Sequence, residues 1–307
     1  MNNNLPLGED IGYSSTKVSF KGKEVRFPTA ICFATDVGTQ FGEEDVYEFE
    51  GQKYYVGKEA VGEESFTTTE YKFLYKFGPL LTYHVLKKFN EHNLDVPVEL
   101  RTGLSITDWG NMKEFKERLS QITVNGETID LNVKIIPQGA GVIVDWVNNN
   151  NNGEFPDRIS VIDIGHNTIN FLSYVNGKPV RKDTNGYPGH GVTSILKPFT
   201  KFLENTYSMT FSEQEAIQIF IKGQFKFNGK YDEKIGEKIA EFKGQFVTKL
   251  FNSVLSNDKK TIAISDKVLI AGGGALLLGD TKFPSQVEMV QDPVMSNVRG
   301  FMVWVNK

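Results

Sequence analysis

The feature that most constrains this chain is a short motif that occurs twice. Asp10-Ile-Gly12 and Asp163-Ile-Gly165 each follow a short apolar run and precede a segment with the pattern of a β-hairpin. β-Forming residues on both sides of a glycine-containing turn predict such a hairpin. The two copies lie about 150 residues apart, and a repeat of this kind predicts two similar halves.

Length and composition agree with two globular halves. The chain has 307 residues, and a typical domain has about 150. Hydrophobic residues make up 39% and charged residues 23%, which excludes a disordered, collagen-like or coiled-coil protein. The formal net charge of −4 argues against a bulk basic surface, so we expect no direct nucleic-acid binding, although a local basic patch stays open.

A single cysteine, Cys32, excludes an intrachain disulfide framework and a cysteine-rich zinc site. The first ten residues lack the basic and apolar regions of a secretory signal. No run approaches the roughly 18 apolar residues that a membrane span requires. We therefore expect a soluble, cytoplasmic protein.

The first half alternates strand and helix patterns. Apolar residues recur at helical spacing over residues 73–89, and Gly78-Pro79 offers an alternative helix start. Further predicted elements are strands at 31–34, 46–56 and 96–102, a helix at 108–120, and a hairpin at 122–136 around Asn125-Gly126. Five asparagines, Asn148 to Asn152, then form the best linker candidate, because asparagine tolerates turns and buries no apolar area.

The second half begins with the repeat and continues with helices. A strand at 159–164 precedes a predicted hairpin around Asn176-Gly177. Helices are predicted at 191–207, 212–221 and 232–255, a strand at 267–271, and a closing helix at 293–305. Gly272, Gly273 and Gly274 follow the last strand.

The first copy of the repeat is a candidate phosphate-binding loop. Gly12, Tyr13, Ser14 and Ser15 offer backbone N–H groups to phosphate oxygens, and Lys17 supplies a cation. Asp10 is suited to holding a hydrated Mg²⁺ against the same phosphates. The plain alternative is a tight turn followed by a surface lysine, and the motif alone does not choose between the two.

The second copy repeats this chemistry. Asp163 precedes a turn that carries Gly165, His166, Asn167 and Thr168, so a second carboxylate and a second set of donors are available. Two such turns facing each other would clamp a polyphosphate from both sides. Two carboxylates and phosphate oxygens together suit Mg²⁺.

Two further segments are candidates for the site. The glycine triplet allows a ligand to approach the backbone closely, or else serves only for close strand-to-helix packing. It fails the Rossmann spacing, because Leu277 stands where a third glycine is needed. Gln138, between Pro137 and Gly139, is placed to orient a water for attack on a terminal phosphate, although by itself an exposed turn is the simpler reading.

Other chemistries find little support. The four histidines, His84, His92, His166 and His190, show no metal-ligand spacing and are interpreted as structural or solvent-facing, with His166 as a weak exception. No Gly-x-Ser-x-Gly elbow or cysteine-histidine pattern indicates a covalent nucleophile.

Taken in order, these motifs resemble a known family. The series Asp10-x-Gly12 to Lys17, Pro137-Gln138-Gly139-x-Gly141, Asp163-x-Gly165 to Thr168, Gly189-His-Gly191-Val192 and Gly272-Gly273-Gly274 is similar to the actin fold of actins, seventy-kilodalton chaperones and sugar kinases. Within it, the compact length, the segment 98–104 before Asp108 and the ending 296–301 look most like the ParM/StbA plasmid-segregation ATPases.

The resemblance implies an α/β, ribonuclease-H-like fold of two domains with ATP or GTP and Mg²⁺ in the cleft between duplicated halves. By position, Gln138, Asp163 and Asp10 match the catalytic residues, and Asp10 and Asp163 hold the metal through water. The two loops match the phosphate loops, Gly191 matches the hinge region only loosely, and the glycine triplet matches the adenosine side. The family more often has glycine at the position of His166.

Domain limits and partners also come from the resemblance. Domain I is expected at residues 1–152 with 286–307 and a small subdomain at about 29–97; domain II is expected at 153–285 with a small subdomain at about 200–260. The implied partners are further copies of the chain in a polymer and a DNA-bound adaptor protein. The alternatives are a small-molecule kinase of the same fold, a chaperone-like switch, which the length disfavours, and an inactive scaffold.

Overall fold

The chain divides into two compact units, Met1–Glu154 with Val294–Lys307, and Phe155–Pro293. The computed structural model describes residues 5–34, 45–61, 65–66, 70–89, 98–279 and 281–304. The first two residues of the strand predicted at 96–102 and the last residue of the helix predicted at 293–305 lie outside these ranges. Each unit is described by itself below.

The first unit is built on a five-stranded sheet. The strands described in the whole unit are β1 (Leu5–Ile11), β2 (Ser15–Phe20), β3 (Lys23–Pro28), β4 (Ile31–Phe33), β5 (Tyr47–Phe49), β6 (Gln52–Val56), β7 (Val98–Leu104), β8 (Gln121–Val124), β9 (Glu127–Asp130) and β10 (Asn132–Pro137). The main sheet has the order β10-β7-β1-β2-β3, in which β10, β7 and β1 run parallel, and both the β1-β2 pair and the predicted β2-β3 hairpin are antiparallel. Strands β4, β6 and β5 form a small separate sheet.

Helices cover both faces of this sheet. They are α1 (Tyr71–Lys88), α2 (Met112–Ser120, preceded by a 3-10 turn at Ile106–Asn111), α3 (Ala140–Asn150) and, from the C-terminal segment, α8 (Ser296–Val303). Side chains alternate along β1, so Glu9 faces α1 and accepts a bond from Thr82, whereas Gly8 lies against Val298 of α8. The buried core holds Leu7, Phe20, Leu80 and their neighbours.

Helix α1 does not begin at Gly78-Pro79, the alternative start, but continues through Pro79. Proline lacks the N–H that would bond to the carbonyl four residues earlier, Tyr75. The Arg118 Nε donates to that carbonyl at 3.2 Å, which satisfies the orphaned oxygen and lets the helix continue.

The hairpin predicted at 122–136 ends earlier than expected. Asn125 and Gly126 turn the chain with positive φ as predicted, but β9 stops at Asp130. Leu131 is buried and its N–H donates to the Ser120 carbonyl, and the chain then leaves as β10 to pair in parallel with β7. Parallel pairing buries Val133 and Ile136, which a continued two-stranded hairpin would leave uncovered.

The asparagine run is only partly a turn. Its first three residues form the last turn of α3, where the Asn149 amide donates to Asp145 and the Asn150 amide to the Trp146 carbonyl. Asn152 and Gly153 then adopt positive φ and end the helix.

The second unit repeats the sheet of the first. Its strands are β11 (Arg158–Ile164), β12 (Thr168–Val175), β13 (Lys178–Pro179), β14 (Asn185–Pro188), β15 (Lys226–Phe227), β16 (Lys230–Tyr231), β17 (Lys267–Ala271) and β18 (Val287–Met289). The order β13-β12-β11-β17-β18 matches β3-β2-β1-β7-β10 strand for strand, with an antiparallel hairpin followed by parallel neighbours. The repeated motif therefore marks a duplicated structural unit.

Three of the four helices described in the second unit lie close to the predicted ranges, whereas the last of the four was not predicted. The four helices are α4 (Thr193–Tyr207), α5 (Glu213–Lys222), α6 (Lys234–Leu250) and α7 (Lys259–Ala263). The helix predicted at 232–255 is α6 with a wider π-helical turn over Phe251–Leu255. Buried side chains such as Phe199, Phe242 and Phe246 pack these helices together. No helix within the described residues combines the length and apolarity needed to cross a membrane.

Candidate functional site

In the first unit, Asp10 lies at the end of β1 and is held by two side chains. The Lys17 ammonium on β2 lies 3.2 Å from Asp10 Oδ2, and both side chains are largely buried. Lys17 lies directly opposite Asp10 in the β1-β2 register, so the hairpin itself brings them together. A Cβ at Gly12 would lie 2.7 Å from the Lys17 ammonium, so a side chain at Gly12 would displace it.

Gln138 joins the same cluster from the other side. Its Nε2 donates to Asp10 Oδ1 at 2.9 Å. This meeting follows from the sheet order, because β10, which ends at Pro137, and β1 are parallel and their carboxyl ends lie at one sheet edge. On the intervening strand a Cβ at Gly103 would lie 2.9 Å from Gln138 Cγ, so the glycine leaves room for the side chain to reach Asp10.

The hydroxyl residues of the first loop bind within the unit. The Tyr13 hydroxyl donates to Asp108 Oδ2 at 3.4 Å, and the Ser15 hydroxyl accepts a bond from Arg26 Nε at 3.1 Å. The Ser14 carbonyl accepts a bond from the Thr29 N–H. Burial raises the pKa of Asp108, and the bond from Tyr13 offsets part of that effect. These contacts fix the path of the loop.

In the second unit, Asp163 lies at the end of β11 and is almost fully buried. The loop after it has the same length as the first, three residues between Ile164 and Thr168. The three carbonyls of this loop accept hydrogen bonds of 2.8–3.2 Å from backbone N–H groups at the start of α4. Gly165 accepts from Val192, His166 from Thr193 and Asn167 from Gly191. A Cβ at Gly191 would lie 2.5 Å from the His166 carbonyl oxygen, so this packing requires glycine.

His166 is tied to α5 by its side chain. Its Nε2 hydrogen-bonds Glu213 Oε1, at the first residue of that helix, and the imidazole is nearly buried. Burial alone would raise the pKa of Glu213, but the hydrogen bond and charge of His166 outweigh it and lower that pKa. The histidine therefore connects the second loop to a neighbouring helix.

The glycine triplet packs against the end of β11. A Cβ at Gly272 would lie 2.3 Å from the Ile164 carbonyl oxygen and 2.6 Å from Asp163 Oδ1, and one at Gly274 would overlap Ile164 Cγ2. Close packing, which the sequence allowed as the alternative to ligand binding, thus accounts for Gly272 and Gly274. Gly273 has open space around its Cα. A five-residue 3-10 turn, Gly273–Leu277, begins at the second glycine of the triplet.

The structure thus forms two clusters, each within one unit. The first holds Asp10, Gly12, Tyr13, Ser14, Ser15, Lys17 and Gln138; the second holds Asp163, Gly165, His166, Asn167, Thr168, Gly191, Gly272, Gly273 and Gly274. Each joins a carboxylate at a strand end to a glycine-containing loop, the arrangement suited to phosphate binding.

Sequence reasoning missed several residues that shape these clusters. Asn297 of α8 accepts a hydrogen bond from the Gly139 N–H at 2.9 Å, next to Gln138. Thr193 and Glu213 support the second loop. The capping box of Ser212 and Glu215 signals the start of α5 and so places Glu213 at a helix terminus. No sequence pattern links Glu213 to His166, 47 residues away.

The metal-ligating side chains present show how a metal ion would fit either cluster. Within the described residues no group of three or more His, Cys, Asp or Glu side chains could by itself hold a metal ion. A cation at either carboxylate would therefore depend on water and on ligand oxygens. Mg²⁺ is commonly bound in that way, through one or two carboxylates and substrate phosphates. Asp10 and Asp163 fit that mode.

Comparison with known proteins shows similarity to actin-like proteins in both halves of the chain. Residues 8–141 match the family model of the N-terminal domain of actin-like proteins, and residues 161–282 match that of the C-terminal domain of the archaeal actin homologue, MreB-like. Together the two models cover most of the sequence. Each matched segment is therefore similar to a domain of actin-like proteins. A search of curated proteins found no match.

Solved structures confirm the actin-like fold. A ParM from a 15-stranded filament of Clostridium botulinum superimposes with a TM-score of 0.81 at 19% identity, over 98% of each chain. Ta0583, an archaeal actin homologue, gives a TM-score of 0.77 at 21% identity, over 97% of this chain and 98% of that one. Its complex with ADP also gives 0.77, at 20% identity over the same shares.

Proposed function

We propose that this protein binds ATP or GTP with Mg²⁺, hydrolyses it, and assembles into filaments whose stability depends on the bound nucleotide. We further propose that these filaments act in the segregation of plasmid or other DNA, in the cytoplasm. A DNA-bound adaptor protein would link the polymer to its cargo.

The observation that carries the proposal is the bond between Gln138 and Asp10. The Gln138 Nε2 donates to Asp10 Oδ1, which leaves the amide Oε1 to accept a bond from a water molecule. Asp10 itself is fixed by Lys17 on its other oxygen. A glutamine oriented in this way beside a carboxylate suits the positioning of water in phosphoryl transfer.

Each cluster has a role in the proposed reaction. Asp10 in the first cluster and Asp163 in the second are the carboxylates that would hold Mg²⁺ through water, and the ion would neutralise phosphate oxygens. Lys17 and the backbone N–H groups of the two loops contact the phosphates. Water oriented by Gln138 attacks the γ-phosphorus, the bond to the leaving diphosphate oxygen breaks, and a proton is released with inorganic phosphate.

Polymer formation is proposed from the comparisons. The matched structures include a ParM filament and an Alp12 filament, and an actin homologue bound to ADP. At 18–21% identity these likenesses support the fold, and the filament and nucleotide roles are carried over as proposals. The turn recurs at an equivalent place in the duplicated sheet, and each copy carries donors suited to phosphate binding.

The direct test is to incubate the purified chain with Mg²⁺ and ATP or GTP. We expect sedimentable polymer, filaments in electron micrographs, and release of inorganic phosphate that slows in Gln138→Ala and Asp163→Ala. Absence of polymer across nucleotides, salt concentrations and crowding agents would contradict the filament role. Phosphate transfer to a small molecule in a substrate panel would indicate a kinase of the same fold instead.

A further inference from the structure

We propose that Asn297, on the C-terminal helix α8, is a positioning residue for Gln138, and that α8 thereby sets the rate of nucleotide hydrolysis. The inference rests on the proposed function, in which Gln138 orients the attacking water. Asn297 acts through the backbone next to Gln138.

The contact is made at the turn that carries Gln138. The Asn297 Oδ1 accepts a hydrogen bond from the Gly139 N–H at 2.9 Å, and Asn297 is 5% exposed. Gly139 has φ of 92°, in the left-handed region that favours glycine, and it precedes the first residue of α3. The Gln138 N–H in turn donates to the Leu104 carbonyl at 2.9 Å. Two successive backbone groups are thus fixed from two different elements.

Helix α8 packs closely enough against this turn to transmit its position. A Cβ at Gly141 would lie 2.3 Å from the Asn297 carbonyl oxygen, so α3 and α8 touch through their backbones. Phe301 is fully buried, and a Cβ at Gly103 would lie 2.7 Å from its ring and 2.9 Å from Gln138 Cγ. Gly103 thus leaves room for both the α8 ring and the Gln138 side chain.

Side-chain bonds hold α8 itself in place. The Ser296 hydroxyl donates to Asp145 of α3 at 2.7 Å, and Arg299 pairs with Glu24 of β3 at 2.6 and 2.7 Å. At the other end, Arg101 Nη1 of β7 donates to the Phe301 and Met302 carbonyls. A helix anchored to three elements is a rigid support for the bond from Gly139 to Asn297.

The position of Asn297 explains why this residue type is needed. The Gly139 N–H precedes helix α3 and its side-chain acceptor comes from a different element. Without an acceptor at 297 the N–H is left buried and unpaired, and the turn has reason to move. A displacement of Gln138 by about 1 Å is enough to lower a rate that depends on oriented water.

The test compares Asn297→Ala and Asn297→Leu with Ser296→Ala in the full chain. Leucine keeps the size of asparagine without the acceptor, so it serves if the alanine variant fails to fold. Three quantities are measured for each variant: amide hydrogen exchange at Gly139, affinity for a fluorescent ATP analogue, and steady-state phosphate release. Ser296→Ala is the matched control, because it removes a buried bond of the same helix that does not reach the Gln138 turn.

We expect faster exchange at Gly139 in both Asn297 variants, a fall in kcat of about tenfold, equivalent to about 1.4 kcal/mol, and unchanged nucleotide affinity. Ser296→Ala should match the wild type in all three, because the Gly139 N–H keeps its acceptor and the bonds of Arg299 and Arg101 still hold α8. The inference would be overturned by unchanged exchange at Gly139 in the Asn297 variants, or by unchanged kcat despite faster exchange there. It would also be overturned by an equal loss of kcat in Ser296→Ala. A wild-type chain that releases no phosphate would instead refute the proposed function, while the exchange data would still decide whether Asn297 holds the turn.

Discussion

The Gln138 amide donates to the Asp10 carboxylate at 2.9 Å, although 128 positions separate the two residues in sequence. The bond connects the end of β10 to the end of β1 across the carboxyl edge of the sheet. Asp10 is 4% exposed and Gln138 is half-buried, so the contact is partly shielded from solvent and favours one orientation of the amide.

Replacing Gln138 by alanine should therefore lower the rate of phosphate release with little effect on nucleotide affinity. Loss of an oriented water is expected to cost on the order of 100-fold in kcat. Stopped-flow phosphate release and binding of a fluorescent ATP analogue measure the two quantities separately.

Gln121→Ala is a matched control for that substitution. Gln121 donates its amide to the Asp130 carboxylate at 2.8 Å, the same kind of bond, on the exposed β8-β9 hairpin. It should leave kcat unchanged. An equal loss in both variants would show that Gln138 acts through general stability.

The pair of His166 and Glu213 should be energetically coupled. Both side chains are partly or fully buried, and each is the other's hydrogen-bond partner. In a double-mutant cycle of His166→Ala and Glu213→Gln, we expect a coupling of about 0.5–3 kcal/mol in the free energy of unfolding, measured by urea denaturation. The same cycle for Lys238→Ala and Glu241→Gln, an exposed pair on α6, should give a coupling of about 0.5 kcal/mol or less. Additive effects at His166 and Glu213 would contradict the contact.

Two glycine-to-alanine substitutions should have opposite effects on the free energy of unfolding, because only one of them lies where α3 and α8 approach closely. A Cβ at Gly300 would lie 1.8 Å from the Gly141 carbonyl oxygen, so Gly300→Ala must push the helices apart. We expect a loss of about 1–3 kcal/mol in the free energy of unfolding. Gly244→Ala, on the exposed face of α6 with no atom within 4 Å, should instead gain about 0.5–1 kcal/mol. Destabilisation by both, measured by urea denaturation, would refute this account of α3 and α8 packing.

Local patterns in the sequence predicted the parts of the fold that depend on local chemistry. The two Asp-Ile-Gly turns, their hairpins and helices α4, α5 and α6 follow from turn residues and apolar periodicity. The duplicated sheet order is consistent with the repeat, because the same turn begins the same strand pairing in each unit.

Features that depend on distant partners were beyond the reach of sequence patterns. The helix predicted over 73–89 does form, but no pattern in the sequence shows that Arg118, on another helix, binds the Tyr75 carbonyl that Pro79 leaves without a donor. The departure of β10 from the β9 hairpin depends on its pairing with β7. The same holds for the candidate site: Asp10 and Lys17 are paired by a local register, whereas Asn297 reaches Gly139 from the far end of the chain.

Behind Asp10, on the opposite face of β1, Glu9 predicts a pH dependence of stability. Glu9 is fully buried, Thr82 donates to its Oε2 at 2.7 Å, and Oε1 finds no hydrogen-bond partner among the described residues. Burial raises the pKa of Glu9 from 4.5 to about 8; the bond from Thr82 opposes this and the nearby charge of Asp10 adds to it.

Because the folded state holds this proton more tightly than the unfolded state, the free energy of unfolding should fall as pH rises from about 4.5 to about 8. Above that range the loss is complete. Glu9→Gln mimics the protonated side chain and removes the titration, so it should flatten this slope and be more stable than the wild type at pH 8.5. Urea denaturation at pH 5, 7 and 8.5 measures the difference. Glu117→Gln, on the exposed face of α2, should keep the wild-type slope, and a Glu9→Gln slope equal to that of the wild type would rule out Glu9 as its source.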